Sequence, residues 1–214
     1  MKELIKRISS YNNIIWDWNG TLLDDYDVIK KAISYQLKEH GLPIPTDEEL
    51  KEMFCFPIRE YYRRLGFRLD QAQFAQLAKN YLNAYQELVV SESSLHNGTE
   101  AILHALSSVG KKQFILSAAE QNYLREQVAF YRIDNFFEKI VGLSNIYGDS
   151  KVDLGKSLMK EQQLIRKETI LIGDTDHDYE VACALGIECL LIAGGSQSYG
   201  KLKKTHYNVL QHRS

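Results

Sequence analysis

Apolar residues gather into five short runs spread along the chain: "NNIIWD" (12–17), "KQFILS" (112–117), "EKIVGL" (138–143), "ETILIGD" (168–174) and "ECLLIA" (188–193). Each run is near-continuous rather than alternating and is bounded by polar residues or glycine. Strands buried on both faces of a parallel sheet read this way. Between the runs the spacing becomes that of amphipathic helices, over 99–109 after the His96-Asn97-Gly98 turn, 120–130, 152–164 and 178–185, the last closing at Gly186. Strands alternating with helices predict a doubly wound, Rossmann-like parallel α/β core.

One interval breaks the alternation. From about Asp24 to Ser93 only helical periodicity is present. "DVIKKAISYQLKEHG" ends in a glycine, "TDEELKEMF" opens with Thr46 three residues before Glu49, and "DQAQFAQLAKNYLNAYQELV" is long and amphipathic. Some 70 all-helical residues between the first and second strands predict an inserted helical cap, residues 24–93, on a core made of 1–23 and 94–214. The segment 194–214 is polar and weakly patterned, and it predicts no definite element.

Composition narrows the class without changing this picture. At 214 residues, with 44% apolar and 25% charged residues, the chain suits an ordinary globular protein with a large core. A net charge of −2 gives no reason to expect nucleic acid or an anionic membrane as partner. Lys and Arg are dispersed, and the Arg63-Arg64 and Lys203-Lys204 doublets are expected on solvated faces. The charged start "MKELIKRISSYNN" lacks the apolar core of a secretory signal, and no window reaches the length of a membrane span. Cys55, Cys183 and Cys189 are odd in number and match no metal-ligand spacing, so reduced thiols and a cytoplasmic setting are expected. A monomer or a homodimer fits equally well.

The chemistry lies where the strands end. Ligands of open parallel sheets bind beyond the carboxyl ends of the strands. There the first strand delivers Asp17, the second Ser117, and the fourth Gly173-Asp174 with Asp178 soon after. The loop beyond the third carries "GDSK", ending in Lys151, which is preferred over Lys156 further into the helix. Carboxylates, a hydroxyl and an ammonium on one edge make a metal and phosphate site. Gly20 allows a sharp turn after Asp17 that aims backbone N–H groups at an anion. His177 is expected in solvent or behind the ligands, because Mg²⁺ takes oxygen donors. Asp174 and Asp178 also suit the N-cap and first turn of the helix toward Gly186.

"DWNGT" (17–21), "FILS" (114–117), Lys151 and "GDTDHD" (173–178) resemble, in order and spacing, the four motifs of the haloacid dehalogenase (HAD) superfamily. The insert falls where subfamily I members carry a helical cap, and the chain looks most like the phosphoglycolate phosphatase and β-phosphoglucomutase branch. The resemblance implies a Mg²⁺-dependent phosphatase acting on a small phosphorylated metabolite, phosphoglycolate-like by default. It implies that Asp17 forms an aspartyl-phosphate, and that Asp17, the Asn19 carbonyl and Asp174 bind Mg²⁺ with Asp178 in or behind that shell. Ser117 would bond a phosphoryl oxygen and Lys151 would neutralise its charge. Gly20, Thr21 and Ala118 are counted with the substrate-binding residues. From the cap segment "FCFPIREYYRRLGF" (54–67), Arg59 joins them as a candidate anion clamp, while Tyr61 and Tyr62 are expected to pack. Trp16 should face the core, whereas Trp18 suits either a site wall or packing.

One position departs from the family pattern. Its phosphatases usually read D-x-D, and the second Asp protonates the leaving oxygen. Asn19 keeps a backbone carbonyl for the metal but neither donates nor accepts a proton near neutral pH. General acid–base catalysis is worth about 10²–10⁴-fold, so slow turnover of alkyl phosphates is expected. Another group, a cap residue or His177, supplies the proton; or the protein is a slow or specialised phosphatase; or the amide is an engineered trap. A natural variant is favoured, and Asn19→Asp is expected to raise kcat ten-fold or more. The alternative from another class is a catalytically weak phosphate-binding protein whose output is cap closure. A phosphomutase leans on the acid that is absent.

Overall fold

A computed structural model describes residues 2–147 and 150–211, so Gly148 and Asp149 of the "GDSK" loop lie outside the described residues. The chain begins with α1 (Lys2–Ile8), β1 (Asn13–Trp16) and β2 (Leu23–Asp24). Four helices follow: α2 (Tyr26–Glu39), α3 (Asp47–Met53), α4 (Ile58–Arg64) and α5 (Gln71–Glu92). Next come β3 (Ser94–Leu95), α6 (Thr99–Ser108), β4 (Lys112–Glu120), α7 (Gln121–Phe130), β5 (Lys139–Leu143) and α8 (Val152–Glu161). The chain continues with β6 (Thr169–Gly173), α9 (Asp176–Leu185), β7 (Glu188–Ile192), α10 (Tyr199–Thr205) and β8 (Val209–Leu210).

The sheet runs β5-β4-β1-β6-β7-β8 and its described pairings are all parallel. Strand side chains alternate between two cores. Ile14, Trp16, Ile115, Ile170 and Ile172 face one, with α1, α6 and α7 over them. Ile15, Phe114, Leu116 and Leu171 face the other, under α8, α9 and α10. Burial on both faces is why these strands read as unbroken apolar runs. The chain adds β4 and β5 on one side of β1, then β6 to β8 on the other, so the strand order reverses at β1. Ligands of such sheets gather at that reversal.

The helical insert has a core of its own, including Ile33, Leu37, Tyr62, Phe67 and Phe74. Its base merges with the sheet's core through Val28 and Ala32 of α2 and Tyr85 and Val89 of α5. Two of its helices start in capping boxes, Thr46 with Glu49 and Asp70 with Gln73. At its root Leu23 and Asp24 pair antiparallel with Leu95 and Ser94. The interval read as strand-free thus begins and ends in a short ladder.

Other differences are local. β4 continues to Glu120, past the expected end at Ser117, through a register irregularity after Leu116. The helix expected over 152–164 stops at Glu161, and Gln163 has a positive φ of 52°. Thr175, not Asp174, caps α9, with Asp178 completing the box at its third position. The weakly patterned 194–214 segment supplies α10 and the sixth strand. The three cysteines are free, and no helix among the described residues is long and apolar enough to cross a membrane.

Candidate active site

Asp17 follows β1 directly, and its N–H donates to the Ile172 carbonyl at 2.8 Å, so the ladder fixes its backbone. Asp174 leaves β6, and Asp178 lies in the first turn of α9. Although up to 161 residues separate them in the chain, carboxylate oxygens of Asp17, Asp174 and Asp178 lie within 4.8 Å of one another, and all three side chains are buried. Lys151, 2% exposed at the mouth of α8, donates through Nζ to Asp17 Oδ1 and, at 3.0 Å, to the Leu116 carbonyl. The same Nζ stands 2.8 Å from Asp178 Oδ1. Lys156 is exposed and pairs with Asp153 instead.

Three buried acids face one buried ammonium. Burial pushes the Asp17 carboxyl well above the usual range, and Asp178 and Asp174 push the same way against Lys151. Burial alone would lower Lys151, but Asp17 and Asp178 outweigh it and hold the ammonium charged. For Asp178 burial is likewise overcome, by Lys151 and the Thr175 hydroxyl, and its carboxyl sits below the ordinary value. The charge deficit therefore falls on Asp17. A divalent cation among the three acids would offset that rise by favouring the ionised carboxylate. The donors are all carboxylate oxygens, as a hard ion such as Mg²⁺ requires, so the residues present fit it.

Two glycines make room for this arrangement. A Cβ on Gly20, whose φ is +68°, would stand 2.3 Å from Asp174 Oδ2, and one on Gly195 would stand 2.2 Å from the same atom. Asp174 also accepts the Ser196 N–H at 2.6 Å and the Thr21 hydroxyl at 3.2 Å. Thr21 thus turns to Asp174, and it is absent from the cavity lining. The bracing loop belongs to the segment that predicted no element. Its signal was the Gly194-Gly195 pair directly after a buried strand. Beyond it, Gln197 Nε2 bonds the Phe54 carbonyl at 3.1 Å and Lys201 Nζ bonds the same carbonyl at 2.5 Å, tying the helical insert to the core.

Asn19 sits in a network that the sequence did not reveal. Its Nδ2 donates to Asp25 Oδ2 at 2.7 Å and to the Tyr85 hydroxyl oxygen at 2.9 Å, and Tyr85 O–H donates to Asp25 Oδ2 at 2.6 Å. Asp25 Oδ1 accepts the Gly20 N–H at 3.0 Å. That N–H serves a carboxylate of the chain, which corrects the expectation that it is aimed at a bound anion. Asp25 is 1% exposed, and burial raises its carboxyl despite those hydrogen bonds. The amide at position 19 is the complement of the acid at position 25. A second adjacent acid in "LLDDYD" was its only sequence trace.

Asp17, Asn19, Ser117, Ala118, Lys151, Asp174 and Asp178 line one cavity of about 190 Å³ between the sheet edge and the insert. Ser117 Oγ accepts the Ala119 N–H at 3.1 Å, which leaves the hydroxyl proton for another acceptor. His177 is buried, not solvent-facing; it stacks on Phe56 of the insert at 4.4 Å, and its Nε2 has no hydrogen-bond partner among the described residues. Tyr61 and Tyr62 pack in the insert and also line the cavity. Trp18 packs: it is fully buried, bonds Gln127 through Nε1 at 2.9 Å and leans on Tyr131.

Arg59 is not brought to the site. It is exposed, with its guanidinium bonded to Gln71 Oε1 at 2.6 Å and the Leu69 carbonyl at 3.2 Å. The cavity takes Ile58, Tyr61 and Tyr62 from α4, and Arg59 leaves the helix off that side toward Gln71 and Leu69. Arg59→Ala is expected to change kcat/KM less than two-fold. A ten-fold loss in a steady-state assay would show that the residue swings inward.

Comparison with known proteins agrees with this geometry. The profile of the haloacid dehalogenase-like hydrolases matches residues 14–192. A 5'-nucleotidase of Pseudomonas aeruginosa is 25% identical over 203 residues, covering 92% of this chain and 90% of the relative. A phosphoglycolate phosphatase of Colwellia psychrerythraea is 21% identical over 201 residues, covering 88% and 86%. The solved structure of a haloacid dehalogenase-like hydrolase from Streptococcus pneumoniae superposes with a TM-score of 0.80 at 25% identity, covering 94% of each chain. The chain belongs to the haloacid dehalogenase-like hydrolases, and within them to the phosphatases, the phosphoric monoester hydrolases.

Proposed function

We propose that this phosphatase hydrolyses a small phosphorylated compound through an aspartyl-phosphate on Asp17, with Mg²⁺ as cofactor. The carrying observation is the convergence of three buried carboxylates within 4.8 Å around a position beside Lys151. Asp17, Asp174 and the Asn19 carbonyl would hold the ion, with Asp178 in or behind that shell. Bound there, Mg²⁺ offsets charge on the transferring phosphoryl group.

The chain's own residues do the rest. Asp17 Oδ attacks phosphorus in line. The Ser117 hydroxyl and Lys151 Nζ donate to phosphoryl oxygens, and Ala118 borders the same space. Residues 24–93 act as the cap and exclude water, moving on the body formed by 1–23 and 94–214. Asn19 supplies no proton, so alkyl phosphates turn over slowly.

Release of p-nitrophenol from its phosphate, measured with Mg²⁺ and with EDTA, tests this reading. Turnover is expected only with Mg²⁺, together with a rise in Tm on adding the ion. Stabilisation by Mg²⁺ and inorganic phosphate with no turnover would favour the binding-protein alternative instead.

A further inference from the structure

We propose that the natural substrate is an aryl phosphate: a single flat, apolar ring whose phosphoryl group is its one anionic part. This rests on the phosphatase reading above and names the substrate class of the same site.

Three observations converge. First, the wall opposite the carboxylates is aromatic and aliphatic, formed by Phe54, Phe56, Tyr61, Tyr81, Leu82 and Tyr123. These rings are already organised: Phe54 meets Tyr61 edge-on at 5.1 Å and Phe56 at 5.7 Å, and Phe56 stacks on His177. An apolar cavity of roughly 150 Å³ holds benzene, so the space of about 190 Å³, which must also take the phosphoryl group at the carboxylate end, has room for one ring at most.

Second, the wall offers a second anion no lysine or arginine of its own, and the imidazole that lines it, His177, is stacked on Phe56 with Nδ1 beside Glu180. Among the described residues lining the cavity, Lys151 is the sole lysine or arginine, and it is engaged by Asp17, Asp178 and the Leu116 carbonyl. Glu120 lines the cavity as well, with its carboxylate capping α7 through the Asn122 and Tyr123 N–H groups. The carboxylate of a phosphoglycolate-like substrate would be buried with no guanidinium or further ammonium to pair it, which is costly. Arg59, which was expected to supply that charge, bonds Gln71 instead.

Third, the site lacks an acid at position 19, and a phenol needs one least. A phenol ionises at about pH 10, whereas an alkanol stays close to water's value of about 15.7. Asp17 Oδ bonds to phosphorus as the P–O(aryl) bond breaks, and the electron pair leaves on a phenolate oxygen stable enough to depart unprotonated. Water then attacks phosphorus, the P–O(Asp17) bond breaks, and its pair returns to the carboxylate. The water's two protons leave on the inorganic phosphate and the phenol. Wall and missing acid are independent features, and they select the same leaving group.

The test measures kcat/KM for phenyl phosphate, cyclohexyl phosphate and phosphoglycolate, with Mg²⁺-dependent hydrolysis of p-nitrophenyl phosphate as the control. Phenyl phosphate is expected to exceed cyclohexyl phosphate, of like size but with an alkoxide leaving group, by about 10²-fold or more. It should exceed phosphoglycolate by a larger factor. Phe56→Ala should narrow the ratio of phenyl phosphate to acetyl phosphate about ten-fold. Phosphoglycolate or cyclohexyl phosphate turned over as well as phenyl phosphate, or an unaltered ratio in Phe56→Ala, overturns the aryl assignment while the control leaves the phosphatase standing. No hydrolysis of p-nitrophenyl phosphate with Mg²⁺ overturns both.

Discussion

Asp17→Asn should cut kcat by about 10⁴-fold or more while leaving the fold intact, because it removes the attacking oxygen and little volume. Asp17 is the acid on which the surrounding charges act, raised by burial and by Asp178 and Asp174 and held against Lys151. An amide at this position keeps a hydrogen-bond acceptor for Lys151 Nζ, which spares the ammonium an unpaired burial. Stability should therefore change far less than rate. Circular dichroism and thermal melting alongside a phosphate-release assay separate the two. A variant within ten-fold of the wild-type rate would show that another group attacks phosphorus.

Asn19→Asp carries the second large effect, and the structure reverses its expected sign. From the family pattern alone, restoring an acid at position 19 should speed turnover. In the folded chain the new carboxylate would stand where Asn19 Nδ2 now donates to Asp25 at 2.7 Å. Two like charges that close repel by about 6 kcal/mol at an effective dielectric of 20, so one of the pair must take up a proton. Tyr85 also loses the donor that now reaches its hydroxyl oxygen. The single change should lower stability by about 3 kcal/mol, a fall in Tm of roughly 6–12 °C for a chain of this size. No gain in rate is expected from it. The exchange Asn19→Asp with Asp25→Asn restores the hydrogen bond with its direction reversed. That pair should recover the Tm and raise kcat on alkyl phosphates ten-fold or more. Melting curves for the two single changes and the double close the cycle. Additive losses would show that positions 19 and 25 are not coupled.

Much of this was legible along the chain, for physical reasons that differ by element. The sheet strands declared themselves because burial on both faces favours apolar residues, so Ile14 to Trp16 and Ile170 to Ile172 read without interruption. Thr46 with Glu49 marked a helix start because the capping box is a local bond pattern. The structure gathers Asp17, Ser117, Lys151, Asp174 and Asp178 because strand ends in a parallel sheet share one edge. What depends on distant partners was hidden. The Asp25–Tyr85 hydrogen bond spans 60 residues and links the start of the insert to its last helix, so no local spacing announces it. Arg59 had the right position near a helix start, but the direction in which that helix faces is a tertiary fact. β2 and β3 have two residues each, too few to show a period.

The carbonyl of Phe54 gives the far end of the polypeptide a role out of proportion to its plain composition. Gln197 and Lys201 hold that carbonyl, and their neighbours Gly195 and Ser196 fence Asp174. Trimming the protein back past this stretch, a routine step in making shorter variants, would loosen the helical insert and slacken Asp174 in the same cut.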